Sequence, residues 1–355
     1  MELTSYGLMS GAAALAVAAL AATVWLWPRL SARSVGAVLG RVGVLGLCQV
    51  LTLAAIGLVV NTYFGFYGSW ADLLGTEPAT VPITVATSGL QVLSSRAVPG
   101  GRIEQVIMPG PATRLSEEAY VFLPSAYFKD PQRRFPAILA LTGYPGDPRN
   151  LMTRLDLPGR MAHAISLRQV KPAILVMMRP SVVLPRDTEC VDVPGGPQVQ
   201  TYFARDVKAD MIAHYRVAAG RDSWGILGGS TGGYCALKLA MSHPDEFSAA
   251  VSLSGYFKTI IDGTTGDLFH GDKSLEQRND LMWRLAHLPA PPVNVLVTSS
   301  KKGEREYPET VRFLAAVRPP MQASSLILPS GGHNFNTWNR ELPQALPWLA
   351  QQLTV

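Results

Sequence analysis

Residues 223–240 read Ser-Trp-Gly-Ile-Leu-Gly-Gly-Ser-Thr-Gly-Gly-Tyr-Cys-Ala-Leu-Lys-Leu-Ala, and this stretch constrains the fold more than any other. A short apolar strand, Trp224 to Leu227, runs into Gly228-Gly229-Ser230-Thr231-Gly232, and a helical pattern follows directly. Gly-x-Ser-x-Gly acquires meaning in that setting of strand, sharp turn and helix. The turn forces Ser230 into a strained backbone conformation. Gly228 and Gly232 flank it because a Cβ at either place would collide with the neighbouring strand and helix. The result is an exposed hydroxyl at a helix N-terminus, where backbone N–H groups and the dipole favour a developing oxyanion.

A hydroxyl that attacks at neutral pH needs a general base, and the base needs an acid that holds its tautomer. Behind such an elbow the chain order is serine, acid, histidine. Two histidines follow near plausible strand ends. His287 sits in the helical-looking run Met282-Trp-Arg-Leu-Ala-His-Leu288 and reads as a packing or surface residue. His333 lies in Pro329-Ser-Gly-Gly-His-Asn-Phe-Asn-Thr-Trp338, directly after the last strand, where the glycines let an imidazole reach across to Ser230. The acid should leave the end of the strand Val293 to Ser299. Glu304 has the more usual distance from that strand end, with Glu306 as the alternative. The oxyanion donors should be the backbone N–H of Thr231 and that of Tyr144, in the loop Gly143-Tyr-Pro-Gly-Asp147.

The chain has 355 residues, enough for one α/β domain and an appendage. Its net charge of +5 comes from scattered basic residues, so no nucleic-acid footprint is present, and its three cysteines show no metal-ligand spacing. The mean hydropathy of +0.16 is high for a soluble enzyme, and its source is local. Residues 7–27 and 42–60 are apolar and long enough to span a bilayer. Between them Arg29, Arg33 and Arg41 stand without an acid, which places that loop in the cytoplasm and everything after Val60 outside it. Residues 1–61 thus form a membrane module. Residues 62–100 form an aromatic segment (Tyr63 to Trp70) and a Pro/Gly-rich linker with room for one short strand, and 101–355 form the catalytic domain.

In that domain, strands over 102–108, 119–123, 135–142, 173–178, 249–254, 293–299 and 325–328 alternate with helical stretches over 157–166, 205–215 and 309–317. The alternation predicts a mainly parallel sheet covered on both faces. Asp187, Glu189 and Asp192 lie in a polar insertion that either lines the mouth of the site or is surface loop. Outside the cytoplasm, Cys190 and Cys235 could form a disulfide tying that insertion to the elbow helix.

Gly228-Gly-Ser-Thr-Gly-Gly-Tyr234, His243-Pro-Asp-Glu-Phe247 and Ser252-Leu-Ser-Gly255 resemble the esterase D group of α/β-hydrolases. That group includes S-formylglutathione hydrolases and the secreted mycolyltransferases of mycobacteria. Gly332-His333-Asn-Phe-Asn-Thr-Trp338 resembles the mycolyltransferase block that holds the catalytic histidine. The similarity spans about residues 102 to 350 and implies an α/β-hydrolase fold, with Ser230 as nucleophile, His333 as base and Tyr144 with Thr231 as oxyanion donors. An ungapped alignment with the mycolyltransferases selects Glu306 as the acid. Thr142 and Pro145 stand where those enzymes carry an Asp and an Arg for sugar binding. The expectation is a membrane-anchored serine esterase acting through acyl-Ser230 on an acyl ester or envelope lipid, without cofactor or metal. A cell-envelope acyltransferase using the same triad, and a catalytically silent binding module, are the alternatives.

Overall fold

The computed structural model describes residues 5–64, 70–73 and 90–355. The chain divides into two compact units, residues 1–80 and 81–355. Residues 65–69 and 74–89, which hold much of the aromatic segment and linker read above, lie outside the described residues.

In the first unit, helix α1 (Tyr6–Leu26) is capped by Ser5, whose hydroxyl accepts from the Leu8 N–H, and helix α2 covers Val35–Phe64. Both are long and apolar enough to cross a membrane. Their large aliphatic residues point outward, among them Leu20, Val24, Val42 and Leu53, whereas the core helix of a soluble domain would bury them. α2 starts earlier than residue 42, so Arg41 lies inside it and not in the connecting loop. Its guanidinium turns back along the helix to the carbonyls of Ala37 and Ala32.

The second unit is built on one nine-stranded sheet in the order β1-β2-β3-β5-β4-β6-β7-β8-β9. In chain order the strands are β1 (Gln91–Val98), β2 (Gly101–Pro109), β3 (Ser116–Pro124), β4 (Ala137–Leu141), β5 (Ile174–Met178), β6 (Trp224–Gly229), β7 (Ala249–Leu253), β8 (Asn294–Ser300) and β9 (Gln322–Leu328). The three pairings from β1 to β5 are antiparallel, and the five from β5 through β4 to β9 are parallel. The sheet begins at Gln91, before the domain boundary expected at 101. β1 is an edge strand whose side chains are almost all exposed, so it lacks the apolar alternation that marks a strand in a sequence. The parallel strands β4 to β7 are buried along their whole length, as strands covered on both faces must be.

Two apolar layers sandwich the sheet. One packs Trp224, Tyr202, Phe203 and Phe247 under helices α4 (Val207–His214) and α5 (Thr231–Ser242). The other packs Phe122, Leu175 and Leu296 under α3 (Leu157–Ser166) and α8 (Phe335–Gln351). Helices α6 (Leu281–His287) and α7 (Tyr307–Ala316) flank the first layer. His287 is on the surface, stacked on Trp283 at 4.6 Å between ring centres.

The β6–α5 turn is packed backbone against backbone. A Cβ on Gly232 would stand 2.2 Å from the Thr142 carbonyl oxygen and 2.5 Å from that of Leu141, and one on Gly228 would stand 2.1 Å from the Gly232 oxygen. These obstacles are backbone atoms and cannot rotate aside. Gly232→Ala should therefore lose about 1–3 kcal/mol of stability by overpacking. Gly220→Ala, where a Cβ meets open space, should stay within about 0.5 kcal/mol of the parent. Urea unfolding of both variants checks this, and equal stabilities would remove the steric account of the elbow.

Candidate active site

Ser230 follows β6 and precedes α5 with φ 56° and ψ −123°, the strained elbow conformation. Its N–H donates to the Leu253 carbonyl at the end of β7, which fixes the turn against the next strand. Its Oγ lies 2.8 Å from Nε2 of His333. The histidine reaches it from the loop between β9 and α8. That loop is held by the Gly331 N–H on the Lys302 carbonyl, the Gly332 N–H on Thr337 Oγ1, and the Asn334 cap of α8.

Trp338, one turn into α8, presents its ring edge-on to His333, with 5.5 Å between centres at 82°. The Trp338 indole N–H donates to Ser254 Oγ at 3.0 Å, and Ser254 donates onward to Glu304 Oε1 at 2.7 Å. Glu304 Oε2 accepts from Ser299 Oγ at 2.8 Å and from the Ser300 N–H at 3.1 Å. The buried Glu304 carboxylate is thus occupied by three donors from the ends of β7 and β8, and the structure does not bring it into a hydrogen bond with His333. Among the described residues no carboxylate makes one. His333 keeps contact with solvent, but partial desolvation of the imidazole by the surrounding site lowers its pKa, while the negative charges of Glu306 and, to a lesser extent, Glu304 pull it back up. Neutral imidazole is the form that can take a proton.

Glu341, on the buried face of α8, shares this region. Its Oε2 accepts from Thr298, and burial, helped by the charge of Glu304, raises its pKa to about 8.

On the other side of Ser230, Gly143 comes close enough that a Cβ there would stand 3.0 Å from that of the serine, and Tyr144 is next in the loop after β4. The loop is closed by Thr142 Oγ1 on the Gly146 carbonyl. Gly143, Tyr144, Pro145, Arg179, Ser181 and Leu184 line a shallow depression there. Thr231 opens α5, where the first N–H groups have no partner within the helix. The tyrosine loop and the helix start therefore meet at the serine.

Sequence reasoning gave no role to Ser254 and Trp338, which stood only within the motifs that carry the resemblance, and missed Glu341. A further signal was the clustering of hydroxyl residues at two strand ends, Ser252-Leu-Ser254 and Thr298-Ser-Ser300. The polar insertion also differs from expectation. Asp187 and Glu189 are 3% and 2% exposed, with Asp187 Oδ1 accepting from Ser181 and Glu189 Oε1 from Tyr256, and Asp192 accepts from the N–H and Oγ1 of Thr201, so each of the three carboxyl groups makes an internal contact. Cys190 and Cys235 are joined in a disulfide.

The fold recurs in solved structures. A ferulic acid esterase superposes with a TM-score of 0.60 at 18% identity, covering 73% of this chain and 99% of its own. An S-formylglutathione hydrolase from Agrobacterium tumefaciens gives 0.62 at 15%, covering 74% and 100%. Such distant identities show the fold alone, and it is the α/β-hydrolase fold expected from the elbow. An uncharacterised protein of Corynebacterium glutamicum is 22% identical over 365 residues, which cover 93% of this chain and 82% of that protein. Residues 113–349 match the family model described as Putative esterase. That span holds the serine elbow, the loop after β4 and the histidine that meets Ser230, and on it this chain is a member of the Putative esterase family.

Proposed function

We propose that this chain hydrolyses carboxylic esters through an acyl-Ser230 intermediate, with its second unit held outside the cytoplasm by α1 and α2. The observation that carries the reading is the 2.8 Å contact between Ser230 Oγ and His333 Nε2 at a strained elbow. As the serine oxygen attacks the ester carbonyl, His333 takes its proton and then delivers it to the departing alcohol. Negative charge on the former carbonyl oxygen is received by the N–H groups of Thr231 and Tyr144, aided by the N-terminal dipole of α5. A water deprotonated by the same imidazole then releases the acid and restores the serine.

We assign the acid's part to Glu306, because Glu304 is held by three donors from the strand ends and the charge of Glu306 raises the imidazole's pKa more than that of Glu304 does. Glu304, favoured by its distance from the strand end, instead anchors Ser254 and so keeps Trp338 edge-on behind the ring. The outward location is supported by the two apolar helices, by Arg29 and Arg33 between them, and by a disulfide that forms in oxidising compartments.

A fluorophosphonate should label the purified full-length protein at Ser230 only. Ser230→Ala should abolish labelling and lower ester kcat/KM by more than about a thousandfold. No labelling of a folded protein would leave the binding-module reading in its place.

The pH profile tests the acid. Activity requires neutral His333, so kcat/KM should rise with pH through a group lying below the ordinary histidine value. A neighbouring carboxylate raises that value, so its removal must lower it. Glu306→Gln should thus shift the acid limb to lower pH and reduce kcat, with Glu304→Gln shifting the limb less. A larger shift in Glu304→Gln would return the acid's role to Glu304.

A further inference from the structure

Two networks leave the end of β7 and pass on opposite sides of Ser230. Ser254 leads toward the base. Tyr256, two residues on, leads toward Thr231. Its hydroxyl donates to Glu189 Oε1 at 2.7 Å and stands 3.1 Å from Thr231 Oγ1. Tyr256 thus links the Glu189 carboxyl to the Thr231 hydroxyl. All three residues are buried, and the Tyr256 ring is stacked on Tyr234 with 5.1 Å between centres at 18°.

Glu189 is tied to the same helix at further points. Thr231, Cys235 and Lys238 follow one another at spacings that line one face of α5. Cys235 is bonded to Cys190, and Lys238 Nζ donates to the Glu189 carbonyl and to Asn279 Oδ1, each at 2.8 Å. Glu189 and Cys190 both adopt left-handed conformations, with φ of 48° and 52°. Strained residues persist where the surroundings over-determine them, and here they are clamped along the nucleophile's helix.

We propose that Glu189 and Tyr256 are positioning residues for acyl transfer: through the Thr231 hydroxyl they hold the first turn of α5 so that the Thr231 N–H meets the oxyanion. The proposal rests on the reading of Ser230 as nucleophile. Neither residue is assigned a contact with substrate, so the effect belongs to the transition state. Losing the tether lowers kcat and leaves KM in place.

The experiment uses the full chain and p-nitrophenyl acetate. Tyr256→Phe should lower kcat about tenfold, less than the loss of an oxyanion donor itself, with KM unchanged and Ser230 still labelled by fluorophosphonate. Thr231→Val cuts the same tether from the other side, and the double variant should be no slower than either single one. Glu189→Gln keeps an oxygen for the tyrosine proton and should retain the activity that Glu189→Ala loses. A wild-type kcat in Tyr256→Phe, or additive losses in the double variant, would overturn the proposal. If Tyr256→Phe does not fold, Thr231→Val is judged by the same kcat and KM criterion. A parent protein with neither esterase activity nor labelling would instead overturn the hydrolase reading.

Discussion

The site depends on the contact between the first turn of α5 and the ends of β4 and β6. With Gly232 against the carbonyls of Leu141 and Thr142, helix and sheet meet backbone to backbone. No side chain separates them, so the helix axis cannot tilt without lifting off the strands. Ser230 inherits that rigidity, and its unusual φ and ψ are held by neighbours on both sides. Ser230, the start of α5 and His333 are then arranged around a fixed point. Pre-organisation of this kind lets donors act on a developing charge without reorganising when it forms.

Behind the imidazole the structure manages carboxylates by unequal solvation. Glu304 collects three donors, whereas Glu341 has one from Thr298 and its pKa is pushed up to about 8 by burial. The field at His333 is therefore set by Glu304 and Glu306, with Glu341 contributing its shape and its bond to Thr298 at neutral pH.

Much of this was legible beforehand because buried parallel strands and the elbow are local signals. The strands from β4 to β8 stand out as apolar runs, and α3 was bounded correctly by its apolar spacing. Other features depend on tertiary context. α8 contains Pro343 and Pro347, which break a helical pattern in sequence; Pro343 lies on the exposed face, where water can satisfy the carbonyl it displaces. β1 gains its place by pairing with β2 rather than from an apolar face. Distance along the chain from β8 could shortlist Glu304 and Glu306, but not show that the nearer one is held by Ser254 and Ser299. The acids of the insertion read as lining the mouth of the site or as surface loop because their residues' partners, Tyr256, Lys238 and Thr201, are remote in sequence or lie on other elements.

The placement of His333 behind β9 also sets the order in which the site comes into being. During synthesis the apolar helices emerge before the loop after β4, which is followed by the elbow and the clamp along α5. All of these can be made while β9 is still missing, since β9 pairs only with β8 and the elbow is braced by β4, β6 and β7. The imidazole arrives with the last strand of the sheet. Until then the chain carries the turn without its imidazole, and the Ser230 hydroxyl gains its contact with His333 only once the sheet is complete.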